Sequence, residues 1–249
     1  MATTSFKKHN TEVVDTQITD SVTQAVPESQ IVPAQSKAVA VIPSADNGIE
    51  GEVSRNDIKL PRINLVQKVG DLSNLFTPGV FLFNKEVILS NGKTPFEVTV
   101  LRLRKQYQQD LPYGSEELPQ TYDTADEVLA NGGSLKWGDD NYFKEIAHVQ
   151  VVMEKPSDCP PELEGLFPYS FQDKDYGVAI WTLTGSAFTS AGKTLITAAY
   201  TLLKAGLHTG KFAVTAEIKK NAKNSWYAPL FKFAGKHSPE AVEFFGSIK

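Results

Sequence analysis

Residues 211–233, KFAVTAEIKKNAKNSWYAPLFKF, constrain the fold more than any other stretch of this chain. Phe212, Val214, Ala216 and Ile218 alternate with Lys211, Ala213, Thr215 and Glu217, the period of a strand with one buried face. KKNAKNS follows, a hairpin-loop composition rich in Asn. Trp226, Tyr227, Phe231 and Phe233 then return in a second strand, with Lys232 among them. The stretch predicts a β-hairpin carrying Lys219, Lys220 and Lys223 at its tip and aromatics on the strand that leaves it. Cations that hold a phosphate backbone beside flat rings that stack bases suit single-stranded nucleic acid. An ordinary hairpin with a solvated loop and core aromatics is the competing reading.

The rest of the chain reads as mainly β with a few helices. Residues 1–52 are poor in aromatics, and Pro27, Pro33 and Pro43 interrupt any helix, so a disordered acidic arm is expected there. Within it AVAVIP, residues 38–43, is a partner-binding segment or plain linker. The ordered part is expected to be one domain, residues 53–249. Pro61 fixes an extended entry, and GDLSNLF suggests a short helical turn. GVFLFNKEVILS and PFEVTVLRLRKQYQ read as a strand pair joined by a SNGKTP turn. In the second of these strands the apolar face changes sides between Val100 and Leu101, which predicts a β-bulge.

Residues 110–175 read as a partly irregular insertion. They contain a short helix at 124–131, opened by the capping box Thr124-Ala-Asp-Glu127 and stopped by ANGG at 130–133, a strand at 141–154, and a proline-rich loop. YGVAIWTLTG, residues 176–185, reads as a buried strand, and residues 188–205 as a helix stopped by Gly206. The hairpin follows. Ser238 and Pro239 then open a short C-terminal helix. A helix inserted before the last strand pair of a small sheet fits the OB-fold, a five-stranded Greek-key barrel, here with the acidic insertion and the terminal helix as extensions. In this arrangement SNGKTP is the first binding loop and KKNAKNS the second.

The net charge of −4 conceals strong segregation. Residues 53–109 hold 9 basic and 4 acidic side chains, residues 110–175 hold 4 and 15, and residues 176–249 hold 9 and 3. Local charge decides whether a polyanion can dock. The alternative is that acidic and basic segments neutralise each other on the folded surface. Cys159 is the sole cysteine, so no internal disulfide is expected and a reducing cytoplasm is the expected compartment. No signal-peptide-like apolar run opens the sequence, and no run is long enough to span a membrane. The four histidines lack ligand spacing, so neither a metal nor another cofactor is expected.

AFTSAGKT, residues 187–194, satisfies a relaxed phosphate-loop pattern after a strand and before a helix. It lacks glycine except Gly192, and no parallel sheet or Mg²⁺-holding carboxylate follows. A phosphate contact by Lys193 near a helix N-terminus suits it better. No paired-carboxylate or Ser-His-Asp pattern stands out, and the chain is expected to be non-catalytic.

DIKLPRINLVQKVGDLSNLFTPG and the late NSWYAPLFKFAGKHSPE resemble a group of bacteriophage single-stranded-DNA-binding proteins, over residues 55–110 and 176–240. Many single-strand binders carry an acidic C-terminal tail; this chain ends AVEFFGSIK and its acidic arm is N-terminal. The resemblance implies an OB core, single-stranded DNA as the partner, and a place in phage replication or recombination. The compartment would then be the host cytoplasm, and the arm could recruit other replication or recombination proteins. Arg62, Lys68, Arg102, Arg104, Lys105, Lys193, Lys211, Lys219, Lys220, Lys223 and Lys232 are the candidate backbone contacts. Tyr107, Trp181, Trp226, Tyr227 and Phe231 are the candidate stacking rings. A phage structural or assembly protein with a wrapping arm is the second reading, and a phosphate-loop nucleotide binder the third. The oligomeric state stays open.

Overall fold

Strand β4, Phe96–Gln109, is the axis of the molecule. Fourteen residues long, it pairs antiparallel with β9 (Gly210–Lys220) through its first four residues and with β6 (Phe143–Glu154) through nearly all of its length. β6 in turn pairs with β8 (Lys174–Thr184), β8 with the short β7 (Tyr169–Phe171), and β9 with β10 (Ser225–Lys236). The order across the sheet is β10-β9-β4-β6-β8-β7, with β5 (Thr121–Tyr122) beside the end of β4. These details come from a computed structural model that describes residues 60–112 and 114–248. The expected arm at residues 1–52, with its AVAVIP segment, lies outside the described residues.

The fold is mainly β with a few helices, as the sequence suggests, but the strand count differs. The main sheet has seven strands, and β1 (Ile63–Leu65), β2 (Phe81–Phe83) and β3 (Val87–Ser90) form a second sheet. β3 and β4 are therefore not the expected pair; SNGKTP carries the chain from one sheet to the other. Inside the stretch expected as an insertion, β6 pairs on both sides and β7 adds an edge strand. The departures from the sheet narrow to residues 110–142, apart from β5, and 155–168.

The main sheet curls. Trp181 on β8 meets Phe231 on β10, ring centroids 5.3 Å apart, although three strands lie between them in the sheet order. The β1 segment fills the gap between those two strands. Ile180 N donates to Pro61 O at 2.8 Å on the β8 side. On the β10 side Gln67 takes both backbone groups of Tyr227, accepting from its N–H at 2.9 Å and donating to its C=O at 3.0 Å. Phe81 of β2 packs edge-on to Trp181 at 5.6 Å, so the small sheet buries its face on the same core. Phe81, Phe83 and Phe212 have no exposed surface. Each such ring contributes about 1.5–3 kcal/mol by leaving water.

The helices mostly follow their local signals. α1 (Ala125–Ala130) has both halves of its capping box, and Ser238 caps α4 (Pro239–Ser247) by accepting from Ala241 N. The helix expected at 188–205 starts earlier and is irregular. It runs from α2 (Gly185–Ala187) through a π-helical turn at Phe188–Gly192 into α3 (Lys193–Thr201). Among the described residues no helix is long and apolar enough to cross a membrane.

Gly92 joins the two sheets. Its C=O accepts from Ala216 N on β9 at 2.8 Å. Its φ is +80°, and a Cβ there would lie 2.0 Å from Gly79 O. Gly92→Ala is expected to cost at least about 1–3 kcal/mol from backbone strain alone. Urea unfolding measures it; an unchanged midpoint would show that the small sheet is not held by this approach.

Candidate nucleic-acid interface

The expected bulge is present: the β4–β6 register shifts between Val100 and Arg102. Before it Val98 and Val100 face the core; after it Leu103 does, and Arg102 and Arg104 are turned to the outer face. There the registers build two rows across three strands. Arg104 stands opposite His148, which stands opposite Thr182. Arg102 stands opposite Gln150, which stands opposite Ile180, and Arg62 bridges to Ile180 from the β1 segment. At about 4.8 Å between strands each row crosses some 10–15 Å. α4 covers the far end of this face, where Phe245 and Ile248 pack on Val152 and Val178.

His148 ties the upper row together. Its Nδ1 lies 3.1 Å from Thr182 Oγ1. Burial first, then the charges of Arg104 and Arg62, hold its pKa below the ordinary histidine value. Two guanidinium groups from different elements thus act on one half-buried ring. Neither His148 nor Gln150 stood out in the sequence, because each is an isolated polar residue in an apolar strand. The signal was the bulge, which also sets the outward register of the facing strand.

The hairpin forms as expected, and its turn has a local cause. Asn221 Oδ1 accepts from Lys223 N at 2.9 Å and from Asn224 N at 2.7 Å, an Asx turn. Lys220 and Lys223 at the tip are exposed and have no carboxylate partner among the described residues. Lys219 pairs with Glu217 at 2.6 Å. Lys68 Nζ donates to Ser225 Oγ at 2.6 Å, which adds a fourth cation to the tip. The six steps from Arg62 to Lys68 can span at most about 20 Å. They lead from the outer face of β8 to the tip of the hairpin.

Other expected contacts fall elsewhere. Lys105 turns to the inner face of β4 near its end, pairs with Glu145 at 2.6 Å and lies over Tyr107, 4.9 Å from its centroid. Tyr107 borders a hollow of about 300 Å³ with Tyr142, Lys144 and Thr189. Lys211 pairs with Glu97 at 3.2 Å. Lys232 is exposed on β10, away from both rows. Lys193 is exposed on α3, but the helical run begins at Gly185, so it is not at a helix N-terminus. Residues 187–194 are helical throughout and form no phosphate loop. Gly192 is accounted for by packing, since a Cβ there would lie 2.7 Å from the Phe188 ring.

Two of the stacking candidates belong to the core: Trp181 is 4 % exposed and Phe231 2 %. Trp226 and Tyr227 are half-buried and anchored, Trp226 Nε1 donating to Ser186 Oγ at 2.7 Å. Trp137, in the loop after α1, is 82 % exposed and was missed. Its signal is a lone tryptophan in the polar run SLKWGDDN.

Searches of protein-family models, of curated protein sequences and of solved structures returned no match to this chain.

His237 also has a lowered pKa, from burial first and then Lys211, and its Nε2 lies 2.8 Å from the buried Thr99 hydroxyl. With both histidine pKa values lowered in the folded state, the unfolded chain binds more protons than the folded one as pH falls through about 6.5. Stability should therefore fall as pH drops through that range. Urea midpoints at about pH 7.5 and 5.5 test the sign, and His148→Gln with His237→Gln should flatten the difference.

Proposed function

We propose that this chain is a non-catalytic, sequence-tolerant single-stranded-DNA-binding protein of phage replication or recombination, built on an OB-like core. The observation that carries the reading is the pair of rows holding Arg62, Arg102, Arg104 and His148 on the outer face of β4, β6 and β8. β4, β6 and β8 form a meander, β9 returns beside β4, and this order, β9-β4-β6-β8, is that of a Greek key. α2 and α3 lie between β8 and β9, and β10 completes a set of five. The β1 segment sits where a five-stranded barrel would close.

In an OB-fold the second and third strands and two loops bind oligonucleotides. On this mapping the face is β6 and β8, which carry the rows with the outer positions of β4. The second loop is the lysine tip at 221–224, as the sequence suggests. The first loop is the acidic stretch at 110–142, not SNGKTP, and it carries Trp137. The guanidinium groups and lysines supply sequence-independent contacts to phosphates. Trp137 offers a ring for a base, a contact that contributes about 1–3 kcal/mol where it forms.

Titration of labelled oligothymidine and of a duplex at several salt concentrations tests the reading. The single strand should bind tighter. Replacing Arg62 and Arg102 with Ala, or Lys220 and Lys223 with Ala, should each lower the slope of log K against log salt by about 1.4, or about 0.7 for each phosphate no longer neutralised. Trp137→Ala should weaken binding with little change in slope. A wild-type protein without preference for single strands would sink the proposal and favour a phage structural or assembly role.

A further inference from the structure

We propose that Arg104 and Gln106 form a phosphate seat on the outer face of β4, and that Asp123 fills this seat in the free protein. The proposal rests on the single-strand-binding reading above and names the contact that DNA must displace. Asp123 Oδ1 accepts from Arg104 Nε at 3.2 Å, from Arg104 Nη2 at 2.9 Å and from Gln106 Nε2 at 2.8 Å. Its Oδ2 accepts from Arg104 Nη2 at 2.8 Å. A carboxylate held by a guanidinium fork and an amide is bound as two phosphate oxygens would be, because the fork matches both anions. These hydrogen bonds keep the Asp123 carboxyl below the usual carboxylate range, so it is charged at neutral pH.

Two features place Asp123 there. β5 pairs with β4 at Tyr107 and Gln108, which sets Thr121 and Tyr122 beside the strand end. The Glu127 carboxylate then accepts from the N–H groups of Asp123 and Thr124, at 3.0 and 3.2 Å. The carboxylate therefore arrives on a short, fixed lead from the strand whose arginine it meets. Arg104 stands directly opposite His148 in the upper row, so the seat continues into the face proposed to bind DNA. Both partners remain more than half exposed, 61 % for Arg104 and 53 % for Asp123, so an incoming phosphate can reach the pair and exchange with it.

The experiment is equilibrium binding of labelled oligothymidine to the full chain, at several salt concentrations. Asp126→Asn is the control: it removes one charge from the same segment, at an exposed residue with no ion-pair partner among the described residues. Asp123→Asn should bind several-fold tighter than the wild type and tighter than Asp126→Asn. Its salt slope should be steeper by about 0.7, since Arg104 then releases a counterion instead of its internal partner. In an Arg104→Ala background, Asp123→Asn should have no more effect than Asp126→Asn. Arg104→Lys, which keeps the charge and loses the fork, should not restore the difference. If Asp123→Asn and Asp126→Asn behave alike in the wild-type background, the seat is overturned and the binding reading stands. If the wild type shows no preference for single strands, both are overturned.

Discussion

One extra residue in β4 determines which way the arginines point. Side chains alternate along a strand, so without the bulge Arg102 and Arg104 would continue the line of Val98 and Val100 into the core. Two unpaired guanidinium groups cannot be buried there at any tolerable cost. The bulge moves them out, brings Leu103 in, and leaves Leu101 to pack against the α4 cluster. Core packing, the seat of the terminal helix and the charge of the outer face all follow from that single register shift.

The curl of the main sheet has a comparable role for the cations that β4 does not supply. Trp181 and Phe231 can touch only because β8 and β10 approach each other, and their contact leaves a gap that one extended segment can fill. The β1 segment fills it with backbone bonds to β8 and side-chain amide bonds to β10. Gln67 suits the second task because one side-chain amide can both accept from the N–H and donate to the C=O of a single residue. Arg62 and Lys68, at the two ends of this segment, are thereby fixed near the outer rows and near the hairpin tip.

What was legible in the sequence had short-range causes. The hairpin, its Asn-rich turn, the capping box at Thr124, the Ser238 cap and the bulge each depend on residues a few positions apart. What was not legible depends on distant partners. Nothing local says that β3 leaves β4 for another sheet. Trp181 and Phe231 looked like stacking rings because aromatic strands read alike from either face; only the curl shows that both turn inward. Trp137 was passed over for the opposite reason, since a tryptophan in a polar loop has no periodic pattern to mark it. The pairing of Lys105 and Lys211 with carboxylates likewise appears only when strands are laid side by side.

Those pairs bear on how a chain with net charge −4 could hold a polyanion. An exposed ion pair contributes about 0–1 kcal/mol, so a carboxylate partner does not remove a cation from use; it makes each contact an exchange. Where the cation is already paired, a phosphate displaces a fixed carboxylate and fewer mobile ions are released. Where it has no carboxylate partner among the described residues, as at Arg62, Arg102, Lys220 and Lys223, the full counterion release remains. Residues 110–142 hold eight acidic side chains and one basic. Set beside the outer rows, they would reduce the attraction for any polyanion that meets the surface only through charge. A ligand that also offers exposed bases, as a single strand does, gains from stacking what it loses in electrostatics. Duplex DNA keeps its bases stacked on one another and has no such compensation. On the proposed reading, an acidic loop beside a basic face, with an exposed tryptophan in that loop, would favour the single strand over the double.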